Sequence, residues 1–151
     1  MSKSKQTIFC VDDNPSVLRL LTALFEADGY QVVTANHPRK ALELAERTPF
    51  DLAILDYQMT GMNGASLAKE MRRKRPTVPL LLFSGSPALP AEALLEVDDY
   101  VTKGEGPELL LQKTRELLQL AASGVSGLIP KGSLANDKRV TAGQGFPGRM
   151  R

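Results

Sequence analysis

Short apolar runs alternate with amphipathic stretches through the first 120 residues. The runs are residues 8–11, 32–34, 52–55, 80–83 and 100–102. Each is too short for a helix, and several are apolar on both faces. Strands buried on both sides of a parallel sheet read this way.

Between the runs lie five helix patterns. In the first, Val17, Leu20, Leu21 and Leu24 repeat at helical spacing, with Leu18 and Phe25 widening the stripe. Asn14 suits its N-cap, Pro15 its first turn and Gly29 its end. A second is predicted over 39–47, with Ala41, Leu44 and Ala45 inward. Asn63 caps a third, which turns Leu67, Ala68 and Met71 to one side. A fourth, over 91–96, is short and follows Pro87 and Pro90. The fifth spans 107–120, with Leu110, Leu117, Leu118 and Ala121 as its apolar side.

The order is therefore βαβαβαβαβα. Right-handed crossovers turn such a chain into a doubly wound, five-stranded parallel sheet of the flavodoxin-like (βα)5 type. The common strand order is then 2-1-3-4-5.

Residues 122–151 break the pattern. Gly124, Gly127, Pro130, Gly132, Gly143, Gly145, Pro147 and Gly148 interrupt any helix or strand. The expectation is one folded domain over 1–121, then a flexible basic Gly/Pro-rich tail over 122–151 and no output domain. Charge sharpens this division. The chain carries a net +2, yet five basic residues and only one acid, Asp137, fall in 121–151. The first 120 residues are thus slightly acidic. Five scattered cations with Phe146 as their one aromatic make no nucleic-acid stripe.

Composition excludes other classes. With one cysteine, Cys10, no intramolecular disulfide forms, and its apolar surroundings suit a buried core thiol. The lone His37, in a loop before Pro38, reads as a surface residue. No apolar run approaches the roughly 20 residues that span a bilayer. Residues 1–6 carry no signal-peptide core. The cytoplasm is the expected location, with no membrane association.

The chemistry lies at the strand ends. Asp12 and Asp13 follow the first strand, Asp56 the third, Ser84 the fourth and Lys103 the fifth. Open α/β sheets place ligands at these carboxyl ends. Three carboxylates at roughly 5 Å and a dielectric of about 20 repel by on the order of 3 kcal/mol per pair. A hard divalent cation such as Mg²⁺ relieves this and leaves room for a phosphate oxygen. Such a cation and a lysine suit phosphoryl transfer, in which positioning and charge neutralisation dominate.

Three segments resemble the receiver domain of two-component response regulators: Val11-Asp12-Asp13-Asn14, Leu55-Asp56-Tyr57-Gln58-Met59-Thr60-Gly61-Met62-Asn63-Gly64, and Asp99-Tyr100-Val101-Thr102-Lys103. The resemblance covers about residues 6–120. The family is itself a type case of the 2-1-3-4-5 order, so that order is not independent of the resemblance. The resemblance implies that Asp56 is the phosphoacceptor. It implies that Asp12, Asp13, Asp56 and the backbone carbonyl of Gln58 hold Mg²⁺. Ser84 would be the switch hydroxyl, Lys103 the partner of the phosphoryl group, and Tyr100 the switch aromatic. The implied partners are a histidine kinase or phosphotransfer protein and a downstream protein. The latter, or a second copy in a homodimer, would meet the face made by the fourth helix, fifth strand and fifth helix.

The chain departs from the family pattern in four places. Thr60 and Gly104 stand where prolines are usual, which predicts a looser loop after Asp56 and a less firmly held Lys103. The stretch from Ser84 to Lys103 is short. Val97-Asp98-Asp99 replaces a common Gly-Ala before the acidic dipeptide. Two rival readings are a degenerate receiver acting as an unphosphorylated binding module and an aspartyl-nucleophile phosphatase. The phosphatase generally needs an acid two residues after its nucleophile, where this chain has Gln58.

Overall fold

The computed structural model describes residues 5–124. The expectations for residues 125–151 lie outside the described residues. Five parallel strands form one sheet: β1 (Thr7–Val11), β2 (Gln31–Ala35), β3 (Leu52–Leu55), β4 (Leu80–Ser84) and β5 (Asp99–Thr102), in the order β2-β1-β3-β4-β5. The helices are α1 (Pro15–Ala27), α2 (Pro38–Arg47), α3 (Gly64–Lys74), α4 (Ala91–Leu95) and α5 (Pro107–Ala122). A 3-10 turn over Lys103–Glu105 joins β5 to α5.

The pleat explains why the central runs are apolar throughout. Phe9, Val11, Ala53, Leu55, Leu80 and Leu82 face one side with Ala41, Ala45, Leu67 and Met71 of α2 and α3. Ile8, Cys10, Ile54, Leu81 and Phe83 face the other, with Leu21 and Phe25 of α1 and Leu110 and Leu117 of α5. Every residue of β3 and β4 is buried, whereas the edge strand β2 is largely half-exposed. Each Leu or Phe fully buried in these layers contributes about 1.5–3 kcal/mol.

Caps set the helix starts. The Asn14 side chain accepts from the Ser16 N–H at 2.9 Å, and Asn63 from Ser66 at 2.8 Å. His37 does more than the sequence reading assigned to it. Its Nδ1 accepts the Arg39 N–H at 3.1 Å, so α2 begins at Pro38, one residue earlier than expected. The helix α4 ends at Leu95, and Pro90 gives it no side-chain cap.

The acidic dipeptide before and at the start of β5 has a structural role. Asp98 and Asp99 are both buried, and each meets a cation from a helix. Asp98 accepts from Arg72 of α3 at 2.8 Å and from the Leu80 N–H at 2.8 Å. Asp99 pairs with Lys113 of α5 at 3.0 Å, and Lys113 is itself only 4% exposed. Removing Lys113 takes away the cation that faces Asp99 Oδ2 and leaves that buried carboxylate poorly compensated. Lys113→Ala is therefore expected to lower stability in urea unfolding by about 3–5 kcal/mol. Joint replacement, Asp99→Leu with Lys113→Met, should recover much of that loss.

Candidate phosphoryl-transfer site

Every strand of the inner sheet delivers a polar group to its carboxyl edge. Asp56 continues β3, and its N–H donates to the Val11 carbonyl at 2.9 Å. Asp12 continues β1, and its N–H donates to the Ala35 carbonyl at 3.2 Å. These bonds extend the ladder one residue past the strands and fix both carboxylates beside each other. Asp12 is 1% exposed and Asp56 6%, whereas Asp13 faces solvent.

One carboxylate oxygen from each of Asp12, Asp13 and Asp56 lies within 4.8 Å of the others. Oxygens bound to one small divalent ion at about 2.1 Å sit within about 4.2 Å of each other. The donor set is hard oxygen throughout, and a modest contraction would let it hold such an ion.

Lys103 reaches this cluster from the 3-10 turn. Its Nζ lies 2.9 Å from Asp12 Oδ2 and 3.3 Å from Asp56 Oδ1. Burial opposes its charge, but hydrogen bonds and attraction from Asp12 and Asp56 outweigh that and hold its ammonium above the ordinary lysine value. Asp56 moves the other way for a carboxylate. Burial first, then repulsion from Asp12, pushes it up to about 6 despite the attraction of Lys103. The site is thus short of positive charge even with its lysine in place.

Ser84 ends β4 and is fully buried. Its hydroxyl oxygen accepts the Ser86 N–H at 3.1 Å. Tyr100 is half-buried on β5 and packs against the α2–α3 side of the core. Gln58 has an exposed side chain in the loop after Asp56. The structure thus brings Asp12, Asp13, Asp56 and Lys103 into direct proximity, with Ser84 on the neighbouring strand end.

Two features escaped the sequence reading. The Thr60 N–H donates to Asp13 Oδ2 at 3.4 Å, a bond that a proline there could not make. This ties the loop to the acidic cluster. The Lys103 ammonium also lies 5.7 Å from the centre of the Phe83 ring. No local pattern pointed to that contact, because Lys103 lies past the end of β5, in the 3-10 turn.

Comparison with known proteins places the chain among relatives of like fold. The transcriptional regulatory protein GlrR of Escherichia coli (strain K12) is 30% identical over 125 residues, which is 81% of this chain and 28% of GlrR. The chain therefore spans under a third of that relative. A CheY-like receiver domain protein from Methanospirillum hungatei JF-1 superposes with a TM-score of 0.75 at 27% identity, covering 80% of this chain and 99% of that one. The response regulator TrrA of Thermotoga maritima, solved in complex with Mg(2+)-BeF, gives 0.71 at 29% identity over 74% of this chain and 98% of its own. A structure of histidine kinase ThkA in complex with TrrA gives 0.70 at 31% identity over 75% and 98%. The model of the response regulator receiver domain matches residues 8–115, which takes in the five strands save Thr7, and the acidic, hydroxyl and lysine positions of the cluster. The chain belongs to the response regulator receiver domain family.

Proposed function

We propose that Asp56 accepts a phosphoryl group from a histidine kinase or phosphotransfer protein, in a reaction that requires Mg²⁺. The observation that carries this reading is the Lys103 ammonium bridging the buried carboxylates of Asp12 and Asp56, beside an acidic cluster able to hold a divalent ion. The cation would be held by Asp12, Asp13, Asp56 and the Gln58 carbonyl, and it would neutralise charge on the transferring group. Asp56 Oδ forms the new P–O bond as the P–N bond to the donor imidazole breaks, leaving an acyl phosphate on Asp56. Lys103 then has a phosphoryl oxygen to pair with.

The new group carries roughly −1.5 to −2 charge and fresh acceptor oxygens. Ser84 answers by turning its hydroxyl from the Ser86 N–H to the phosphoryl group. Tyr100 follows inward, and the α4-β5-α5 face changes shape for a downstream protein or a second copy of this chain. That TrrA was solved with Mg(2+)-BeF and with a histidine kinase supports the same reading.

The test is intact-mass spectrometry after incubation with acetyl phosphate. One added phosphoryl group is expected with Mg²⁺, and none when the cation is removed by EDTA. Equal labelling in EDTA would contradict the cation's role. No labelling in either condition would favour the degenerate binding module.

A further inference from the structure

The family pattern fixes the loop after the conserved-type lysine with a proline, and this chain has Gly104 there. A Cβ at Gly104 would meet nothing within 4 Å, so this position has neither a proline ring nor a side chain to pack beside Lys103. Yet the Lys103 ammonium sits between Asp12 and Asp56, at 2.9 and 3.3 Å. Those ion pairs draw the ammonium in; the further question is what else its side chain rests on.

The sheet register supplies the answer. Phe83 of β4 pairs with Val101 of β5, and Lys103 follows two residues later, at the start of the 3-10 turn. The Phe83 ring is 8% exposed and packed among the α1–α5 core, so its orientation is fixed from below. Its centre lies 5.7 Å from Lys103 Nζ, within the range over which a ring face attracts a cation. We propose that Phe83 is a positioning residue for phosphoryl transfer: its ring holds the Lys103 ammonium at the Asp12–Asp56 edge, in place of the backbone restraint that Gly104 lacks. This rests on Lys103 being the group that faces the phosphoryl oxygen. The ring touches neither donor nor phosphoryl group and acts only through the lysine.

A cation–ring contact of this kind predicts that Phe83→Leu slows labelling of Asp56 by acetyl phosphate by about five-fold. Phe83→Tyr, which keeps the ring, should stay within about two-fold of wild type by the same reasoning. The decisive arm is a double-mutant cycle with Lys103→Ala. If Phe83 works through Lys103, Phe83→Leu adds no further loss in that background. Losses that simply add, or a Phe83→Tyr variant as slow as Phe83→Leu, would overturn the proposal and mark Phe83 as core packing. A second readout needs no phosphorylation and no variant that unfolds. The Lys103 ε-methylene protons of the wild type should resonate upfield of ordinary lysine values through the ring current. Ordinary shifts would overturn the placement. A wild type that takes no label while showing the ring-current shift would sink the functional reading and leave the Lys103–Phe83 contact standing.

Discussion

Gly64→Ala is expected to destabilise the protein by about 3 kcal/mol or more, because its new methyl group would meet backbone rather than a movable side chain. A Cβ at this position falls 2.3 Å from the Asp56 carbonyl oxygen and 2.9 Å from its carbon. Leu82 Cδ2 also stands at 2.9 Å, so the methyl group would press on a core side chain as well as on the backbone. The Gly64 N–H also donates to the Tyr57 carbonyl at 2.7 Å, which locks the start of α3 against the residue after Asp56. The energetic and functional effects therefore coincide: the loop that carries Asp56 must move. Urea unfolding reads the first, and acetyl phosphate labelling the second. Gly61→Ala is the control. Gly61 has φ +93° but only the His37 ring near, so its cost should be about 1 kcal/mol, the penalty of a left-handed backbone. A Gly64→Ala variant no less stable than Gly61→Ala would show that α3 does not press on the Asp56 backbone as described.

Asp56→Asn is expected to take no phosphoryl group and, in cation-free buffer at neutral pH, to be more stable than the wild type. The sign follows from the raised carboxyl group, which moves from 3.8 to about 6 in the fold. Below about pH 4 the acid is neutral whether folded or unfolded, and wild type and variant should match. Between about pH 4 and 6 the unfolded chain ionises while the folded one keeps its proton, so wild-type stability falls across that window and levels off above it. Each unit of such a shift is worth about 1.36 kcal/mol, so the variant should gain on the order of 3 kcal/mol at neutral pH. That amounts to several degrees in Tm for a domain of this size. Added Mg²⁺ should then raise the wild-type Tm more than that of the variant. Thermal melts across pH, with and without the cation, test this. A variant less stable than wild type at pH 7 would mean that the attraction of Lys103 outweighs burial and repulsion.

Much of the fold was legible because the sheet is buried on both faces. Five short apolar runs left few alternatives to a parallel α/β sheet, and caps such as Asn14 and Asn63 marked the helix starts. The strand ends were legible for the same reason: a polar residue directly after a buried run must sit at the sheet edge, as Asp12 and Asp56 do. Contacts across elements were not legible. Lys113 occupies the inward stripe of α5, between Leu110 and Leu117, and nothing local says that Asp99 awaits it. The acidic pair Asp98-Asp99 looked like a departure from the family pattern, yet alternate residues of a strand face opposite sides, so one pair of acids can anchor α3 and α5 separately. Thr60 looked like a lost restraint, whereas its N–H makes a bond to Asp13 that depends on the fold of two loops. His37 is exposed, as its place before Pro38 suggests, but its capping role was hidden because it depends on the rotamer that brings Nδ1 to the Arg39 N–H.

The central claim is that the phosphoryl group resides on Asp56 as an acyl phosphate. The direct test is borohydride reduction of the Mg²⁺- and acetyl phosphate-treated protein, followed by peptide mass mapping. Hydride converts an acyl phosphate to the alcohol, so a phosphorylated aspartate becomes homoserine. Homoserine is expected at position 56 alone, with Asp12, Asp13 and Ser84 unchanged. Reduction at Asp12 or Asp13, or a stable phosphate on Ser84 with an intact Asp56, would contradict it.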